Sequence, residues 1–182
     1  MTSSKLDAVF NGSLPVIYQQ YLVPLIFEPY AKDIVERLVK RSPSRVLEIA
    51  AGTGVVTRAM AEALPADVAI VATDRNQPMI DQAAAHRTAR PVEWRQADAT
   101  QLPFDDESFD AVVCQFGVMF FEPKTKALAE ARRVLRSGGV FLFNVWDSIA
   151  DNEFADVVTA ALAPVTSATT SGPVDGRLNV II

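Results

Sequence analysis

The 182-residue sequence contains one cysteine and one histidine, and these two scarcities already remove several kinds of chemistry. A single thiol, Cys114, excludes an intramolecular disulfide and fits a reducing compartment. Its place at the end of an apolar run reads as a small core residue rather than a nucleophile. The single imidazole, His86, lies late in a helical stretch and reads as surface. Basic charge is also short: 17 Lys and Arg against 22 Asp and Glu leave a net charge of −5, which disfavours a nucleic-acid footprint. No apolar run approaches the ~20 residues of a spanning helix. The start, Met1-Thr2-Ser3-Ser4-Lys5, lacks the basic and apolar regions of a signal peptide. The expectation is a soluble cytoplasmic chain with neither membrane nor nucleic acid as partner.

What the sequence does have is the composition of a globular domain: 49% hydrophobic and 21% charged residues. Short apolar segments recur at Arg45–Ile49, Val68–Thr73, Val92–Arg95, Phe109–Cys114 and Val140–Trp146, bounded by Gly, Pro, Asp or Ser as strands are. Two are almost continuously apolar, as strands covered on both faces are. Helical spacing appears between them, at Ile34, Leu38 and Val39, at Met60, Ala63 and Leu64, at Met79, Ile80 and Ala83, and at Leu128, Ala131, Val134 and Leu135. Ser137-Gly138-Gly139 is read as the stop of the last of these helices. Alternation of this kind predicts an α/β fold, a doubly wound and mostly parallel sheet with right-handed crossovers.

The first motif is Val46-Leu47-Glu48-Ile49-Ala50-Ala51-Gly52-Thr53-Gly54-Val55-Val56. A strand enters a glycine-containing turn and a helix leaves it, so the helix-opening N–H groups face any ligand that approaches. Alone, this is also what a ligand-free turn looks like. The dinucleotide fingerprint would need a third glycine where Thr57 stands. The second signal is Asp74, twenty residues after Gly54, where a carboxylate can accept hydrogen bonds from both hydroxyls of a ribose. A helix N-cap is the competing role, and Asn76, directly before Gln77-Pro78, is better placed for it. Arg75 and Met79 are candidates to flank a base, although a Met at helical spacing equally reads as core. The third signal is Asp98-Ala99 after the third strand, where the carboxylate can accept an adenine amino group and the Ala99 N–H can donate to a ring nitrogen. Asp105-Asp106-Glu107 reads as a solvated loop, since adjacent acids with no histidine are not spaced as a metal-ligand set. No acid–base pair stands out, so no catalytic residue is assigned and no metal is expected.

Together these elements resemble the class I methyltransferases, and in particular the ubiquinone/menaquinone-biosynthesis type, type 11. Glu48 stands for the acid of the acidic-x-Gly-x-Gly-x-Gly motif, Gly52 and Gly54 for its later glycines, and Ala50 replaces the first. The similarity runs from about Leu25 to Trp146 and includes Asp74–Met79, Asp98–Phe104, Ser108–Phe116 and Arg133-Val134-Leu135-Arg136-Ser137-Gly138-Gly139. The resemblance implies a Rossmann-like sheet of order 3-2-1-4-5, with the usual last two strands missing or incomplete. It further implies S-adenosylmethionine as donor, S-adenosylhomocysteine as product, and a small-molecule acceptor. The cofactor-binding residues it implies are Tyr21, Glu48, Ala50, Gly52, Thr53, Gly54, Asp74, Arg75, Met79, Asp98, Ala99 and Gln115. Tyr21 enters because Phe10–Leu22 resembles the lid helix of some relatives, in which Tyr18 and Tyr21 share a face. Gln115 and Phe116 are expected near the methyl group. Cys114-Gln115-Phe116-Gly117 does not match the Asn/Asp-Pro-Pro-aromatic motif of many nucleic-acid methyltransferases.

Three regions follow: a helical lid at 1–44, the cofactor core at 45–147, and a helix with a truncated, partly loop-like tail at 148–182. Pro164–Gly176 is rich in Thr, Ser, Ala, Gly and Pro and reads as loop. Leu178–Ile182 is expected to cover the edge of the fifth strand, by folding back or by pairing in a homodimer. A cofactor-binding but catalytically impaired domain and a nicotinamide-dependent protein are the alternatives; the latter leaves Asp98 unexplained.

Overall fold

The computed structural model describes residues 14–148. The elements in chain order are α1 (Leu14–Ile17), a π-helical segment (Tyr18–Phe27), α2 (Glu28–Val39), β1 (Arg45–Ile49), α3 (Val55–Ala63), β2 (Ala69–Asp74), α4 (Gln77–Ala85), β3 (Glu93–Gln96), β4 (Phe109–Gln115), a short 3-10 turn (Val118–Phe120), α5 (Lys124–Val134) and β5 (Leu135–Asn144). The chain divides into two compact units, Met1–Phe143 and Asn144–Ile182; all that follows concerns the first. The expectations for a helix at 149–162, for the loop at 164–176 and for the tail at 178–182 lie outside the described residues.

The five strands form one sheet in the order β3-β2-β1-β4-β5. Pairing is parallel between β1 and β2, β1 and β4, and β2 and β3. Val46, Leu47, Glu48 and Ile49 of β1 are all buried, as expected of a central strand covered on both faces. β3 stands at one edge and buries none of its four residues fully. On one face, Ala31, Ile34, Val35 and Leu38 of α2 and Val56, Met60 and Ala61 of α3 pack with Val46, Ile70, Ala111 and Val113 of the sheet. The α2 set recurs at i, i+3, i+4 and i+7, so helical periodicity alone carries these side chains to the core.

Three expectations are corrected in detail. Val39, Ala63 and Leu128 face solvent; Ala31 and Val35, Thr57, and Ala127 take their places in the buried stripes. The last helix ends at Val134, before Ser137-Gly138-Gly139, which lies within β5. The fifth strand therefore runs Leu135–Asn144 rather than Val140–Trp146. Its early start has a physical cause. The carbonyls of Arg133 and Val134 accept from the N–H groups of Glu107 and Ser108, and Arg136 pairs with Asp110 of β4 at 2.7 Å. These bonds pull the chain into the sheet as soon as the helix ends.

Candidate functional site

The carboxyl ends of β1, β2 and β4 open on one edge of the sheet, the place where open α/β folds bind ligands. β1 runs into the turn Ala50–Gly54, from which α3 starts. Gly54, with φ +82°, precedes that helix directly. A Cβ there would meet the Trp94 ring at 2.7 Å, so the position demands glycine on both counts. Ala50 takes φ +56°, a left-handed conformation that costs an L-residue about 1–2 kcal/mol. Its methyl group is accommodated across the turn: a Cβ at Gly117 would fall 2.5 Å from it. The alanine that replaces the motif's first glycine is thus offset by a glycine at the end of β4.

The turn is tied to its neighbours from below. The Asp74 carboxylate accepts the Gly52 N–H through Oδ2 and the Asn76 N–H through Oδ1, both at 2.8 Å. Asn76 is the cap of α4, its side chain accepting from the Met79 N–H at 3.2 Å, which leaves Asp74 outside the capping role. Glu48 is fully buried and accepts the Thr57 hydroxyl of α3. Burial pushes its carboxyl up to about 8, against the Thr57 hydrogen bond and the Arg58 charge, with Asp74 adding to the rise. Glu48 lines the pocket, but its Oε2 is spent on joining β1 to α3.

Sequence reasoning named Gln115 and Phe116 here but missed Arg58, Gln19, Phe27 and Tyr30. Arg58 donates to the Thr53 carbonyl at 2.7 Å and to Gln19 of the π-helical segment at 3.1 Å. Gln115, at the end of β4, donates to the Phe27 carbonyl at 3.2 Å. Phe116 sits edge-on to Tyr30, with ring centroids 5.1 Å apart, and 5.6 Å from Phe27. The N-terminal helix therefore meets the site through Gln19 and Phe27. Tyr21 is 60% exposed and is not among the pocket's lining residues. The π-helical winding, with its i→i+5 bonds, removes the α-helical spacing on which the placing of Tyr21 rested.

On the other side, Asp98 follows β3 and Oδ2 lies 3.7 Å from Arg75. Ala99 is buried. Met79 is 4% exposed on α4, in keeping with the core reading. His86 ends α4 with Nδ1 2.8 Å from the Gln82 carbonyl, and Cys114 is fully buried, its thiol pushed up by burial.

Two features bear on whether a ligand fits. Thr53 Oγ1 is buried and finds no hydrogen-bond partner among the described residues, an arrangement that costs free energy unless a bound group supplies one. A Cβ built on Gly52 would meet nothing within 4 Å, so the turn faces open space. The pocket between Gly52, Thr53, Phe27 and Gln115 thus offers an orphan hydroxyl and open space beside Gly52 to a polar ligand.

Comparison with known proteins decides the family. The methyltransferase-domain model, type 11, matches residues 47–143, more than half of the chain. The chain belongs to this methyltransferase family. Demethylmenaquinone methyltransferase of Deinococcus radiodurans is 42% identical over 100 residues, 54% of this chain and 41% of that protein. The ubiquinone/menaquinone biosynthesis C-methyltransferase UbiE of Idiomarina loihiensis is 35% identical over 129 residues, 69% of this chain and 48% of that one. The chain thus spans less than half the length of these relatives. The YcgJ protein of Bacillus subtilis superposes with a TM-score of 0.59 at 26% identity, covering 72% of this chain and 57% of that protein. S-adenosylmethionine is the cofactor that membership of this methyltransferase family implies.

Proposed function

We propose that this methyltransferase-family chain transfers a methyl group from S-adenosylmethionine to a small-molecule acceptor in the cytoplasm. The observation that carries the reading is the convergence of the Gly52–Gly54 turn, Asp74, Asp98-Ala99 and Gln115 at the carboxyl ends of β1 to β4. Asp74 is the ribose acceptor, Asp98 takes the adenine amino group, and the Ala99 N–H donates to the ring. Arg75 flanks the base from the α4 side, and Met79 stays in the core. Gly52, Gly54 and the orphan Thr53 hydroxyl hold the amino-acid end, with Ala50 shaping the turn and Glu48 supporting it from inside. Tyr21 has no part in this arrangement; Gln19 and Phe27 are the lid contacts. Residues 45–147 form the cofactor-binding core.

When bound, the cofactor supplies a sulfonium that already activates its methyl group. The chain's task is then alignment and exclusion of water. Gln115, bonded to Phe27, fixes the lid at the mouth of the pocket, and Phe116 presents an aromatic wall with Phe27 and Tyr30. That wall suits a planar acceptor, and the relatives named for demethylmenaquinone make such a ring the first acceptor to assay. No helix among the described residues is long and apolar enough to cross a membrane. The edge of β5 is a candidate surface for pairing between two copies of the chain.

The decisive measurement is a thermal melt with ligand. S-adenosylhomocysteine at ~100 times Kd should add about 2.7 kcal/mol of stability, whereas NAD and NADP should add none. Stabilisation by NAD alone would overturn the reading.

A further inference from the structure

The segment Glu130–Arg133 near the end of α5 has no role in the site as described, yet it grips the loop that carries Asp98. Arg133 Nη2 donates to the Leu102 carbonyl at 2.9 Å, and Glu130 Oε2 accepts the Leu102 N–H at 2.8 Å. Both polar main-chain atoms of one residue are therefore held by one pair of side chains. The pair is itself joined twice, at 2.8 Å through Nε to Oε1 and at 2.8 Å through Nη2 to Oε2. Arg133 Nη1 reaches further, to the Phe104 carbonyl and to Asp106, each at 2.7 Å. A planar guanidinium can serve these directions at once, and an ammonium cannot.

The grip is transmitted to Asp98 over a short path. Asp98 and Gln101 form an antiparallel bridge, with the Gln101 N–H donating to the Asp98 carbonyl at 2.9 Å. Asp98 Oδ1 accepts the Thr100 N–H and hydroxyl, both at 2.8 Å. Residues 98–102 are thus one closed turn, with Leu102 buried at its foot. At the other end, the Ala97 N–H donates to the Asp74 carbonyl at 3.0 Å. The Asp98 turn is suspended between the end of β2, where Arg75 Nε lies 3.7 Å from Asp98 Oδ2, and the end of α5, where two bonded side chains hold both polar main-chain atoms of Leu102.

We propose that Glu130 and Arg133 are positioning residues that set the Asp98–Leu102 turn against the cofactor's base and so determine its preference for adenine over a 6-oxopurine. This rests on the assignment of Asp98 to the adenine amino group made above. A carboxylate attracts a 6-amino group and repels a 6-oxo group, so selectivity depends on where the turn holds Asp98.

The test compares S-adenosylhomocysteine with S-inosylhomocysteine by titration calorimetry on the full chain. The variants are Asp98→Ala, Arg133→Lys and Glu130→Gln, with the melting temperature of each unliganded protein as a control for folding. The wild type should prefer the adenine ligand, and Asp98→Ala should abolish the preference. Arg133→Lys and Glu130→Gln should each narrow it by about tenfold, the worth of one well-placed hydrogen bond, at temperatures well below their melting points. A purely structural role would weaken both ligands in proportion and leave the ratio unchanged, which overturns the inference. If Arg133→Lys does not fold, Glu130→Gln, which keeps an acceptor for the Leu102 N–H, gives the reading. A ratio that depends on Asp98 but not on Glu130 or Arg133 removes the positioning role alone. A wild type that binds neither ligand, or a ratio indifferent to Asp98, removes the adenine assignment and this inference with it.

Discussion

Asp74 and Asn76 stand two residues apart at the start of α4 and serve different donors. Asn76 accepts from Met79 inside the helix, while Asp74 accepts from Gly52 across the sheet edge. Asn76→Ala should lower the stability of the unliganded protein by about 1 kcal/mol and leave affinity for S-adenosylhomocysteine intact. Asp74→Ala should weaken that ligand by ~1.5–3 kcal/mol, the range for hydrogen bonds to a charged group. It should also lower the unliganded melting point, because the Gly52 N–H loses its acceptor. Calorimetry and melts on both variants check this; unchanged affinity in Asp74→Ala would remove the ribose assignment. Glu48 offers a second test, through pH. Its carboxyl, pushed up to about 8 by burial, binds a proton more tightly when folded than unfolded. The stability this contributes is full below the ordinary carboxyl range of ~4.3 and is lost as pH rises towards about 8. Glu48→Gln keeps an acceptor for Thr57 and has no proton to lose. Melts from pH 5 to 9 should show the variant gaining on the wild type as pH rises, and parallel curves would show that Glu48 titrates normally.

At the scale of elements, what could be read in advance was whatever depends on near neighbours. β1, β2 and β4 announce themselves because strands buried on both faces need continuous apolar residues, and the turn after β1 needs Gly54 within its own few positions. Asp74 and Asp98 follow strands at fixed places. The winding of Tyr18–Phe27 was hidden, since nothing local separates a π-helix from an α-helix there, and with it went the placement of Tyr21. The start of β5 was hidden too. Ser137-Gly138-Gly139 has the composition of a helix stop, and the bonds that overrule it come from residues 107, 108 and 110. Asp110 shows how strong such a long-range tie is. It accepts the Ser44 hydroxyl at 2.5 Å, the Ser44 and Arg45 N–H groups at 2.8 Å, and Arg136 at 2.7 Å. One carboxylate on β4 thereby fastens the start of β1 and the start of β5. Burial raises its pKa, but these hydrogen bonds outweigh burial and hold it well below the usual range. The resulting stability is present above the ordinary carboxylate pKa of ~3.9 and disappears as pH falls below it. Asp110→Asn should therefore be less stable than the wild type at pH 7, by about 1–2 kcal/mol given the partial exposure of the pair. The difference should shrink as pH falls from 4 to 2, and one that stays constant over that range would place the loss in packing instead.

At the scale of the molecule, the two edges that the sheet has among the described residues are built differently. β3 is four residues long and presents Glu93, Arg95 and Gln96, a short charged edge of the kind that resists further pairing. β5 is ten residues long and contains neither lysine nor proline. Val140 and Leu142 pack against the core shared with α2 and α3, so by alternation Phe141 and Phe143 lie on the opposite face. Their rings are 5.0 Å apart, and Phe143 is 38% exposed. The one charged side chain of β5, Arg136, lies at the start of the strand and is paired with Asp110. The stretch 140–144, with its aromatic pair, therefore carries no charge to blunt it and favours a partner strand. A second copy of β5 is one such partner, and sedimentation velocity tests it. The full chain should then be a dimer that Phe143→Lys dissociates. A full chain that stays monomeric at tens of micromolar protein would show that a second copy does not cover the edge.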